Sequence, residues 1–233
     1  MPPFSKRTCC QGRHKGAKLK RMQRKFRSIK SAWRSSRLLA LLERATFRVA
    51  ERNSDTSWGA PARFLHWLVA ALIFIQFALG WLAVGWRLSP TKLDLFVWHK
   101  STGMLILVLV LLRLSWRLAN PTPAVPVDTP AWERVAAHMS HGLLYIMMIA
   151  MPMTGWMIQS AAGVPFRIFW QIPLPTLVSP DKHTAELAAF AHFSLGIAFA
   201  ALLVLHVGAA LRHHFVKHNN VLTRMLTASR TPR

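Results

Sequence analysis

Four long apolar runs constrain this 233-residue chain more than any other feature. They fall at about residues 64–86, 95–118, 135–158 and 186–211. A helix needs about twenty predominantly apolar residues to cross a bilayer. In hydrocarbon the backbone must satisfy its own hydrogen bonds, so such runs fold as helices. The chain is 52% hydrophobic and only 16% charged, which also points away from a soluble domain. The fold class expected is an all-α membrane protein, a four-transmembrane-helix bundle. Between the second and third runs, "ANPTPAVPVDTPAW" cannot continue a helix. Residues 163–180 carry Pro165, Pro173, Pro175 and Pro180 and read as a long loop. Trp67, Trp86, Trp98, Trp116 and Trp156 stand near the ends of the runs, as an interfacial aromatic belt requires.

Charge sets the direction of the spans. The net charge of +22 is unevenly spread: seventeen Lys and Arg against three acids up to Arg63, and thirteen against five after it. Arg212, Lys217, Arg224, Arg230 and Arg233 follow the last span with no acid among them. The positive-inside rule then puts both termini in the cytoplasm. Residues 1–60 read as a basic extension, disordered or lying on anionic lipid. Residues 61–226 form the membrane domain, and 227–233 a short basic tail. No nucleic-acid motif accompanies the positive charge, so no nucleic-acid partner is expected. Cys9 and Cys10 are adjacent, which makes a disulfide between them hard to close, and no metal cluster is read there. The start shows no short apolar core behind a cleavage site, so no signal peptide is expected.

Polar groups inside such spans are costly without a partner. His192 and His206 lie fourteen residues apart in the fourth run. Fourteen residues at about 100° each return to within about 40° of the same face and rise about 21 Å. One helix thus carries two imidazoles on one stripe, one in each leaflet. His66, near the inner start of the first run, matches His206 in depth; His99, near the outer start of the second, matches His192. Facing imidazoles are what six-coordinate haem iron needs for electron transfer, because two strong axial ligands leave no open position. An isolated His in an apolar helix is ordinarily a packing residue. Four of them paired by depth point to two haems, with His66 and His206 on the inner iron and His99 and His192 on the outer. A transition-metal transporter would be expected to show Asp, Glu or Cys deep in the spans, and none is there.

Other residues are secondary candidates. His138 and His141, at the inner start of the third run, could contact a haem propionate or a quinone, substitute as ligands, or simply be interfacial. His213 lies seven residues beyond His206 on nearly the same face and competes with it, although its depth beyond Arg212 suits it less. Arg113 and Arg117 could hold propionates or could be flanking inside charges. Lys100, beside His99 on the outer side, fits a propionate contact or the steering of an anionic donor. Gly103 and Gly196 stand one turn from His99 and His192, where a small residue would let a macrocycle approach the backbone or let helices pack.

The chain resembles the bacterial cytochrome b-561 family, four-helix di-haem proteins of the inner membrane. The resemblance rests on "RFLHW" at 63–67, "WHKSTGMLILVLVLLRLSWRL" at 98–118, "PTP" at 121–123, "AHMSHGLLY" at 137–145, "MPMTGW" at 151–156 and "LHVGAALRHHF" at 205–215. It covers about residues 63–226 and leaves the extension outside. It implies axial ligation by His66, His99, His192 and His206, two haem b, and electron exchange with ubiquinone. One type of member is similar to a superoxide oxidase, so a superoxide:ubiquinone oxidoreductase is one expectation. A haem-carrying subunit for a separate dehydrogenase or reductase is the alternative, with a protein partner. A non-redox transport or assembly protein with structural histidines is the third. No nucleotide-binding fingerprint is present, which argues against NADH as direct donor.

Overall fold

The computed structural model describes residues 53, 54, 57–124 and 129–226. The basic extension up to residue 52, with Cys9 and Cys10, and the 227–233 tail lie outside the described residues. The chain divides into two units, Met1–Val49 and Ala50–Arg233, and the second holds all that is described here.

Four helices long and apolar enough to cross a membrane make up that unit: α1 (Ala60–Gly85), α2 (Pro90–Ala119), α3 (Ala131–Ala161) and α4 (Lys182–Phe215). A single-turn helix, α5 (Thr223–Leu226), follows. Each long helix matches an expected span: α1 starts four residues before its span and ends at Gly85, one residue short of it, and the other three run past theirs at both ends. The overruns begin at local stop and start signals that hydropathy does not weigh. Pro90 opens α2 behind Ser89, whose hydroxyl accepts from the Lys92 N–H. Asp181 caps α4 by accepting from the Thr184 N–H at 2.7 Å. Hydrogen bonds from the Thr184 side chain and N–H hold the Asp181 carboxyl below its ordinary value. Its capping contribution is therefore present at neutral pH and lost as pH falls through that lowered value. Asn120 ends α2 in extended conformation, as a residue before proline prefers.

The helices pack as two hairpins, α1 on α2 and α3 on α4, joined where α2 meets α3. The backbone of α4 does not pack closely on α1 or α2. Large apolar side chains such as Trp81 and Val204 face outward, as a lipid surface permits. The core is one cluster of Val69, Ile73, Ile106, Val110, Leu144, Met148 and Phe199. On every helix these residues lie, in sequence, between the two histidine levels. Phe199 is the only member from α4; it stands two turns from His192 and two from His206, and its ring meets Phe77 at 5.7 Å.

We call the end holding the start of α1 and the end of α4 basal, and the opposite end distal. At the basal end Glu133 is buried at the start of α3 and accepts from Arg212 (3.1 Å) and Lys217 (2.6 Å) at the end of α4. Asn53 is buried too; it donates to Pro121 O and accepts from the Gly59 N–H, so packed structure begins upstream of the first span. The Trp67 indole donates to Met225 O and ties α5 to α1.

At the distal end the expected loop is partly ordered as a hairpin. Strands β1 (Arg167–Ile168) and β2 (Ile172–Pro173) pair antiparallel, with Ile168 opposite Ile172. Phe169 and Trp170 at its tip have φ of 46° and 64°. That left-handed backbone is costly for bulky residues and normally falls to Gly or Asn. Here tertiary contacts offset it: both rings stack edge-on against Trp98, and the Phe169 N–H donates to the buried Ser101 hydroxyl at 2.7 Å.

Truncating Phe199 would leave a void between the two hairpins. The transfer term of a water-soluble core is weak between helices in lipid, so lost packing dominates. We expect Phe199→Ala to lower stability by about 2 kcal/mol, below the usual cost of emptying a phenylalanine site. Equilibrium unfolding of the detergent-solubilised protein measures it.

Candidate functional site

The distal pair comes from α2 and α4. The His99 and His192 rings stand with centroids 6.3 Å apart and planes at 77°. Each has its Nδ1 engaged by a third helix. His99 Nδ1 lies 3.2 Å from Gln76 O, and a carbonyl can only accept, so that nitrogen carries the proton and Nε2 is left free. The Gln76 side chain returns a bond to His99 O at 2.8 Å. His192 Nδ1 lies 2.9 Å from the Thr154 hydroxyl on α3. Gly80 makes room for His99: a Cβ there would sit 2.9 Å from His99 Cε1. Gly103 does not open onto the histidine; a Cβ there would meet Gln76 Nε2 at 3.1 Å.

The basal group comes from three helices. His66 on α1 and His206 on α4 stand 6.4 Å apart, and His141 on α3 stands 5.3 Å from His206. Beside them Arg113 reaches across to donate to Ala62 O at 2.8 Å. The Arg117 guanidinium lies over both Trp58 and Tyr145. The Trp116 indole N–H is buried without a hydrogen-bond partner in the same neighbourhood as the two arginines, and the buried Tyr145 hydroxyl lies against Arg113. Two cations, an orphaned indole N–H and a phenol beside them form a set suited to a carboxylate.

Both ring pairs bridge the space between α4 and the α1–α2 hairpin, where the backbones do not pack closely. Among the described residues no group of three or more His, Cys, Asp or Glu could enclose a bare metal ion. The pairs therefore suit a metal that brings its remaining ligands with it. An imidazole nitrogen sits about 2 Å from a metal it ligates, so two rings facing each other across one metal have centres about 6 Å apart. Both cross-helix pairs have that spacing. The residues present thus fit a haem at each level, and the two levels are about 21 Å apart along α4.

The remaining sequence candidates are distributed unevenly. Lys100 is half-buried; its ammonium donates to Gln159 Oε1 at 2.9 Å and lies 5.4 Å from the centre of the Phe166 ring. His138 is exposed, with Nδ1 against Arg134 O of its own helix, and does not join the basal group. His213 turns from the pair toward Asn219 (2.7 Å) and Glu133 (3.8 Å). The sequence reading missed Thr154, Gln76, Gly80 and Glu133. Thr154 and Gly80 had no signal beyond ordinary helix composition. Gln76 and Glu133 had one: each is a polar residue inside or at the edge of a span.

The family model described as prokaryotic cytochrome b561 matches residues 57–228. The chain is 31% identical over 183 residues to cytochrome b561 homolog 2 of Escherichia coli K12, covering 76% of this chain and 95% of that relative. It is 29% identical to cytochrome b561 homolog 1 of the same organism, over 70% of this chain and 93% of that one. It is 31% identical to the Yersinia pestis protein named probable superoxide oxidase CybB, over 71% and 93%.

The clearance at Gly80 generates a direct test. Gly80→Ala should push His99 off its line with His192 and lower bound haem per chain toward half. Gly85→Ala, where a Cβ meets nothing within 4 Å, should leave it unchanged. Absorbance per chain of the purified variants measures both.

Proposed function

The chain belongs to the prokaryotic cytochrome b561 family, multi-pass inner-membrane proteins of electron transfer for which b-type haem is implied, and from that premise we propose that it holds two haems b and carries electrons from the periplasmic side to the ubiquinone pool. The observation that carries this reading is the pair of cross-helix imidazole contacts, 6.3 and 6.4 Å between centroids, at two depths. The Lys and Arg flanking the basal end support a cytoplasmic location for it and for both termini by the positive-inside rule. His99 and His192 then hold the outer haem, and His66 and His206 the inner one.

Haem b would supply one-electron chemistry when bound, and His99 with His192 and His66 with His206 would hold it, leaving no ligand position for oxygen. The chain's own residues do the rest. Arg113, with the Tyr145 hydroxyl and the Trp116 N–H, holds a propionate of the inner haem. His141, next to His206, contacts a propionate or the quinone headgroup. Gln159 is neutral, so Lys100 keeps a net positive charge on the outer side, where it attracts an anion. Superoxide is the donor we propose, and the name carried by the Yersinia relative supports it. Two superoxide anions become two dioxygen molecules and release two electrons. One quinone takes up those electrons and two protons to become the quinol.

The purified protein should show a low-spin b-type spectrum with close to two haems per chain. His66→Ala or His206→Ala should remove the inner haem, and His99→Ala or His192→Ala the outer. Retention of both haems after a change at His192 or His206 would overturn the assignment. A stopped-flow superoxide pulse should reduce the haems at a rate that falls with ionic strength. Lys100→Glu should slow that step more than reoxidation by quinone. No reduction by superoxide would leave the other reading, a haem-carrying subunit that serves a separate dehydrogenase.

A further inference from the structure

We infer that Thr154 is a positioning residue for the outer centre: its hydroxyl accepts the Nδ1 proton of His192, directs Nε2 to the iron and holds the reduction potential of that centre down. This rests on the reading that His99 and His192 share one haem iron.

The hydroxyl has one proton and two acceptor sites. It lies 3.0 Å from Ala150 O and 2.9 Å from Met151 O, both on its own helix, and 2.9 Å from His192 Nδ1. The two carbonyls can only accept, so they take the hydroxyl proton, a common threonine back-bond in apolar helices. A lone pair then faces His192, and the shared proton must belong to Nδ1. His192 is thereby fixed as the tautomer with a bare Nε2, the nitrogen that can bind a metal. Gln76 O does the same for His99 from α1. Both outer imidazoles thus have an acceptor on Nδ1, which leaves Nε2 bare. Among the described residues neither His66 nor His206 has one.

An acceptor on the remote N–H raises the basicity of the coordinated imidazole and favours the oxidised metal. The outer centre is therefore the more readily oxidised for its ligand type, which helps an electron received there to move on. The Met151 carbonyl also borders the His192 ring, but it and Gln76 O belong to the backbone, so Thr154 is the acceptor that substitution can remove.

The test is a redox titration of Thr154→Val and Thr154→Ser in the full-length haem-loaded protein, followed in the visible spectrum. Valine keeps the shape and removes the acceptor; serine keeps the acceptor. We expect Thr154→Val to retain two haems and to shift one component upward by about tenfold in its reduced-to-oxidised ratio, about 59 mV for one electron. The other component should stay in place, and Thr154→Ser should titrate as the wild type. Loss of the outer haem in the valine variant, with retention in serine, also supports the role. An unchanged titration with both haems bound overturns it, as does an equal shift of both components or loss of haem in both variants. His192→Ala is run in parallel. If that variant keeps both haems, the ligand assignment itself has failed and the inference falls with it.

Discussion

Everything in this bundle is arranged around the cost of placing imidazoles in hydrocarbon. A polar ring at membrane depth must find a partner, and here the partner ring comes from across the bundle. The α4 backbone stays apart from α1 and α2, and His66–His206 and His99–His192 span that separation side chain to side chain. Only between the two histidine levels does α4 send a buried apolar group, Phe199, toward α1. The core is thus a central plug with one histidine pair above it and one below. The two hairpins can part at both levels because the plug and the α2–α3 contact hold them together.

The two levels are built differently. The distal pair is tightly seated: Gln76 and Gly80 form its bed on α1, and Thr154 orients His192 from α3. Four helices therefore fix two rings, and the strained tip of the β1–β2 hairpin is stacked on Trp98, the neighbour of His99. The basal group is richer in charge and in unsatisfied donors. Arg113, Arg117, Tyr145 and Trp116 gather beside three imidazoles. A little beyond them, the Glu133 cluster clamps the end of α4 to the start of α3. That clamp also takes up His213, so the charge network at the helix end and the imidazole pair inside the span stay separate.

The spans and the four paired histidines were legible from sequence because hydropathy and helical periodicity are local properties. Fourteen residues along one helix must return to one face, whatever surrounds it. Depth matching then selected His66 and His99 as mates for His206 and His192 without any contact being known. His141 was readable only as an open candidate, since the sequence could not say which way the α3 face turns. The hairpin at 167–173 was not readable at all. Its tip, Phe169–Trp170, contradicts turn preferences, and its stability comes from Trp98 and Ser101, some seventy residues earlier in the chain.

By itself, then, the sequence determined a four-helix membrane bundle and imidazoles at two depths, because lipid admits few solutions and each of those features is periodic or compositional. The tertiary structure alone decided which rings face each other at about 6 Å, and that His213 is drawn off to Glu133 while His141 is drawn in. It also decided that Thr154, Gln76 and Gly80 shape the distal pair. Those are relations between helices. Their rotation and spacing follow from packing between side chains far apart in sequence, which no single segment encodes.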